Sequence, residues 1–144
     1  MKLSTKCRYG LRAVVEIARS YGKSPAKRKD ISRHEGLSSS YLENILLVLR
    51  NHKIVETARG VNGGYALCRP PAEVTVYDVV SALDGPLSIV DCVEKKSRCK
   101  RADECVTRMV WCELADTIKK VLQTITVQDL LDKEKNRKNV DYSI

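Results

Sequence analysis

The sequence predicts a mainly α-helical protein with a small β-hairpin wing, a winged helix-turn-helix domain followed by a long C-terminal dimerisation helix. Three observations predict it. Two short helical stretches flank Gly36, an Asn62-Gly63-Gly64 turn lies directly behind them, and apolar residues recur at three- and four-residue steps from Val110 to Ile125.

Each element follows from local pattern. From Leu3 to Tyr21 the apolar positions Leu11, Val14, Val15, Ile17 and Ala18 make one face of an amphipathic helix, which Gly22 and Pro25 end. A short helix then runs to Glu35 and meets Gly36. The next helix takes Ser38 or a neighbouring serine as its N-cap and presents Leu42, Ile45, Leu46 and Leu49 to a core. Two helices joined by a tight Gly-containing turn are a helix-turn-helix. Strands from Ile54 to Ala58 and from Tyr65 to Cys68 surround a loop containing Asn62, Gly63 and Gly64, and Asn-Gly is a strong hairpin signal because both residues can take positive φ. That hairpin is the wing.

Pro70 and Pro71 break the chain, and Thr75 caps a helix with Val76, Val79, Val80 and Leu83 on one side, closed by Gly85 and Pro86. The polar stretch CVEKKSRCKRADEC, from Cys92 to Cys105, lacks apolar periodicity and is expected to be an irregular loop. A long helix begins near Asp103. Its stripe of Val110, Leu114, Ile118, Val121 and Ile125, widened by Met109 and Trp111, must be covered, most simply by the same helix of a second subunit. Thr126 to Leu131 reads as a short closing helix. The expected divisions are a DNA-binding domain over 1–84, a cysteine-rich loop over 85–105, dimerisation and closing helices over 106–132, and a disordered polar tail over 133–144.

The formal charge of +8 is one-sided: residues 1–75 hold 14 Lys and Arg against 6 Asp and Glu, and residues 76–144 hold 12 of each. Such a balance suggests a polyanion as partner, because each neutralised phosphate releases a counterion. Near the N-terminus the apolar residues are spaced as on a helix rather than in the unbroken run of a signal peptide, and no segment approaches eighteen consecutive apolar residues. The expectation is a cytoplasmic protein with no membrane association. A Gly-rich nucleotide motif and a nucleophile spaced with a base are both missing, and the two histidines, His34 and His52, lie in the basic half. An enzyme is not expected.

In a winged helix-turn-helix the second helix enters the major groove of double-stranded DNA. Ser38, Ser39, Ser40, Tyr41, Glu43 and Asn44 occupy its N-terminal end. The hydroxyls suit phosphates, and Glu43 suits the exposed amino group of cytosine, which makes it a residue for specificity rather than affinity. Arg59, with Gly63 and Gly64 in the wing, is placed to approach the minor groove. Lys27, Arg28, Lys29, Arg33, Arg50 and Lys53 would position the backbone.

Taken in order, STKCRYGLRA, LSSSYLENIL, RGVNGGYAL and a triple-cysteine loop ahead of VTRMVWCEL resemble the Rrf-two family of bacterial repressors, the IscR, NsrR and CymR type, over residues 1 to about 132. The resemblance implies a winged-helix homodimer on a roughly palindromic operator, with Ser38, Ser40, Tyr41, Glu43 and Arg59 at DNA-contacting positions.

Cys92, Cys99 and Cys105 are separated by six and five residues, which is neither zinc-ribbon nor CxxC spacing. Thiolates are soft donors, and Lys95, Lys96, Arg98, Lys100 and Arg101 would favour them. The reading is an iron-sulfur nest, with zinc, a reversible thiol switch and cysteines without a role as the open alternatives. The resemblance implies the same cofactor, an iron-sulfur cluster, 2Fe-2S ahead of 4Fe-4S, although the spacing does not decide between them. Arg108 stands where cluster-bearing members have a histidine ligand, and Arg8 where others have an acidic one. Arginine cannot coordinate iron. A fourth ligand would come from Cys7 or Cys112, while Cys68 reads as structural. The expected function is a DNA-binding transcriptional repressor of iron-sulfur cluster assembly or a related iron, redox or nitric oxide response, its operator affinity tuned by the cluster. The alternatives are a CymR-like regulator of sulfur or cysteine metabolism under a partner protein without a cluster, and a small iron-sulfur carrier.

Overall fold

Ser4 starts the first helix, α1 (Thr5–Ala18), by accepting the Cys7 N–H on its hydroxyl at 2.9 Å. The backbone N–H of the same serine donates to Asp84 at 2.9 Å, tying the head of α1 to the tail of α4 (Val76–Asp84). The computed structural model describes residues 2–141. Within α1 the predicted face is enclosed: Ala13, Val14, Ile17 and Ala18 are buried. The helix is shorter than its apolar pattern, because Ser20 and Tyr21 already form turn hydrogen bonds and Gly22 takes φ +76°.

α2 (Arg28–Glu35) ends at Gly36, whose φ of 64° is left-handed, and α3 (Ser39–Asn51) begins at Ser38, whose hydroxyl accepts the Tyr41 N–H at 3.3 Å. Leu42, Ile45, Leu46 and Leu49 are fully buried against α1 and α4. The wing is the antiparallel pair β1 (Val55–Ala58) and β2 (Gly64–Leu67), with Val55 opposite Leu67. The connection is the expected loop. Among its five residues only Gly60 takes positive φ, at 101°, and the Gly63 N–H closes it on the Gly60 carbonyl at 3.0 Å.

Thr75 and Asp78 cap α4 reciprocally. The cysteine-rich segment is not wholly irregular: it holds a four-residue helix, α5 (Asp91–Glu94), and a 3₁₀ turn over Lys96–Arg98. Val90 and Val93 close the first of these through a local hydrogen bond, so short-range backbone pairing succeeds where no apolar stripe advertises it. α6 (Val106–Thr124) follows, and the Ile125 carbonyl accepts the Val76 N–H at 2.8 Å.

The last helix, α7 (Val127–Asp141), outruns the expected closing helix and occupies residues 133–141 of the expected polar tail. Thr126 and Asp129 form a second reciprocal cap, and Val127 and Leu131 are buried. The Lys, Glu and Arg residues beyond are good helix formers with no Gly or Pro to stop them. A two-pronged contact holds the extension: Arg19 donates to both Glu134 oxygens, at 3.0 and 2.6 Å, and this keeps the Glu134 carboxyl below its ordinary range. The remainder of the expected tail, residues 142–144, lies outside the described residues. No helix among the described residues is long and apolar enough to cross a membrane.

Candidate nucleic-acid interface

The helix-turn-helix presents α3 with one buried and one exposed side. Ser39, Ser40, Glu43 and Asn44 are exposed, and they recur at the three- and four-residue steps that put them on one face. Tyr41 is half-buried, its ring packed edge-on against Tyr9 with centroids 6.4 Å apart, which fixes its direction. Leu47 shares the exposed face at 46% accessibility.

The carboxylate on this face is already paired. Arg28 of α2 reaches Glu43 at 2.8 Å, with both side chains open to solvent. That contact neutralises a charge that would otherwise repel phosphate, and it holds Glu43 in one direction. Sequence reasoning placed Arg28 among the backbone-positioning cations, and the pairing across two helices carries no local signal. Lys27, the N-cap residue of α2, and Arg59, at the head of the wing loop, are exposed.

Gly63 and Gly64 serve the geometry of the wing. A Cβ on Gly64 would overlap the Ala26 carbonyl oxygen and lie 2.8 Å from its carbon. Without it, Tyr65 and Ala26 exchange two backbone hydrogen bonds of 2.8 Å, which lock the wing to the strand-like approach to α2. The hairpin is thereby hydrogen-bonded to the segment that leads into the helix-turn-helix. An α-helix fits the major groove, and donors and acceptors along one face of it can meet base edges there.

The six cysteines are all free thiols. Cys92 sits in α5, Cys99 just after the 3₁₀ turn, and Cys105 at the N-cap of α6, all half-buried. The Cys105 thiol is lowered by the Thr107 hydroxyl and by backbone N–H groups at the start of α6. Arg108 donates its Nε to the Cys92 carbonyl at 2.9 Å. The side chain in the seat of the expected histidine therefore grips backbone. Cys7 is 1% exposed in the core of the chain, and burial, with the Asp84 charge adding, pushes its thiol up to about 11. Cys112 lies half-buried on α6, and Cys68 is exposed beyond β2. Among the described residues no group of three or more His, Cys, Asp or Glu is arranged to hold a metal ion.

α6 leaves most of its apolar stripe uncovered within one chain, while Ile118 is half-buried and Ile125 packs against the core. Met109, Val110, Leu114 and Val121 are 72, 57, 43 and 51% exposed, and only Ala115 of the helix is buried.

Residues 3–133 match the Rrf2 family model, described as an iron-dependent transcriptional regulator. The chain is 38% identical over 130 residues to the HTH-type transcriptional regulator CymR of Bacillus subtilis, covering 90% of this chain and 89% of that one. The structure of CymR, called the global cysteine regulator of B. subtilis, superimposes with a TM-score of 0.78 at 36% identity, covering 92% of this chain and 98% of that one. The structure of IscR from T. potens gives 0.75 at 34% identity, covering 93% and 88%.

Proposed function

The chain belongs to the Rrf2 family of DNA-binding transcriptional regulators, and on that premise we propose a dimeric repressor of CymR type, governing sulfur or cysteine metabolism under the control of a partner protein. The observation that carries the DNA-binding part is the exposed row of Ser39, Ser40, Glu43 and Asn44 on α3 beside a wing fastened to the same domain. Ser38, Ser40 and Tyr41 bond phosphates, Glu43 accepts from cytosine, and Arg59 reaches an adjacent minor groove. Two copies join through the open stripe of α6, which sets the spacing between the two α3 helices. The CymR reading is supported by the likeness to CymR in sequence and backbone.

One observation favours a second reading, in which an iron-sulfur cluster tunes operator affinity: three half-buried thiols share the segment between α4 and α6. That segment would have to rearrange to collect Cys92, Cys99 and Cys105, with Cys7 or Cys112 as further donors. Two measurements separate the readings. Anaerobic reconstitution with iron and sulfide leaves the chain colourless in the first and gives cysteine-dependent visible absorbance in the second. A mobility-shift titration with and without reconstitution gives the same affinity in the first and different affinities in the second.

A further inference from the structure

Leu47 is out of place for a core leucine. Its neighbours Ile45, Leu46 and Leu49 are wholly buried, yet it stands 46% exposed, four residues past Glu43 and three past Asn44 on the polar face of α3. Beside it is a notch of about 100 Å³ lined by Leu46, Leu47 and Tyr65, with Glu43 and Arg50 completing the wall. Pockets for small molecules run to roughly 300–1,000 Å³, so this one is too small for a metabolite, while it exceeds the space a single water needs. It opens on the face that the proposed function assigns to the major groove. There only thymine, of the four bases, projects an apolar group, its 5-methyl.

We propose that Leu47 and the Tyr65 ring form a methyl-reading notch that selects thymine at one position of each operator half-site. The proposal rests on the reading that α3 enters the major groove. It adds an apolar contact to a face whose other side chains are hydrogen-bonding groups, and it draws the wing, through Tyr65, into base discrimination. Tyr65 is held for that role by its two backbone bonds to Ala26.

The test uses the full chain and a duplex that this chain recovers from a randomised pool. Each thymine is replaced singly by deoxyuridine, which removes the methyl and leaves base pairing intact. The expected result is a loss of about fourfold in affinity at one thymine per half-site, the effect of exposing one methyl. Leu47→Ala, an exposed change that leaves the core untouched, should bind the thymine and uridine duplexes equally. The notch is overturned if no thymine responds, or if wild type and Leu47→Ala lose the same factor at the same position. A chain that recovers no preferred sequence at all removes the proposed function, and the notch with it.

Discussion

Arg28 and Glu43 meet at 2.8 Å across the helix-turn-helix, joining the first turn of α2 to the exposed face of α3. An exposed ion pair of this kind contributes about 0.2–1 kcal/mol to stability, so its value lies elsewhere. In the proposed function it presents an already paired carboxylate to the groove. Glu43→Ala should leave the melting temperature nearly unchanged and relax discrimination at a cytosine by about 1–3 kcal/mol, without weakening binding to non-cognate duplex. Competition binding against operator variants at each cytosine measures this. A uniform loss across all sequences would assign Glu43 to positioning instead.

Gly64→Ala tests the junction of wing and domain. The added Cβ meets the backbone of Ala26, which has no flexible end to move aside. Breaking the paired hydrogen bonds between Tyr65 and Ala26 should destabilise the chain by about 2 kcal/mol and weaken operator binding more than it weakens non-specific binding. Chemical denaturation and binding titrations report the two effects separately.

The buried thiol of Cys7 sets an alkaline limit on stability. Its value rises from an ordinary 9.0 to about 11 in the fold, because burial disfavours the thiolate and Asp84 repels it. The folded state therefore favours the protonated form. Its contribution is intact below pH 9 and is lost as the pH climbs from 9 to 11, amounting to about 2 kcal/mol at the upper end. Denaturation curves of wild type and Cys7→Ala should converge over this window, and parallel curves would contradict the assignment. In the folded chain Cys7 should also resist alkylation.

Leu114→Glu places a charge in the open stripe of α6, beside Val110 and Trp111. The single chain does not bury this position, so helicity and melting of the monomer fold should persist. Sedimentation should show a monomer. Operator affinity should fall by at least tenfold, because two half-sites are no longer engaged together. A dimer that survives the change would move the subunit contact elsewhere.

Legibility in the sequence followed the range of the interactions. The caps at Ser38 and Thr75 and the buried face of α3 were readable because partners three or four residues apart define them. The wing is located by Asn62-Gly63-Gly64, but the positive φ of Gly60 and the need for Gly64 in the approach of Ala26 are not legible, since Ala26 is distant in sequence. The length of α7 depends in part on Glu134 meeting Arg19, a contact across 115 residues that no local window contains. At the site, the polar row on α3 was legible by helical spacing. The pairing of Arg28 with Glu43 and the exposure of Leu47 were not, because both depend on how α2, α3 and the wing pack. The cysteine segment gave a ligand inventory without a geometry: Arg108 holds the Cys92 carbonyl, a backbone contact that spacing does not encode.

The claim on which the rest depends is that α3 and the wing together read a duplex. The most direct measurement is an anisotropy titration of the full chain against its selected duplex and a scrambled one, at salt from about 50 to 200 mM. The account predicts that the selected duplex binds about a thousandfold or more tighter at physiological salt, and that both affinities fall steeply as salt rises. Equal affinity for the two duplexes, or affinity insensitive to salt, would contradict it.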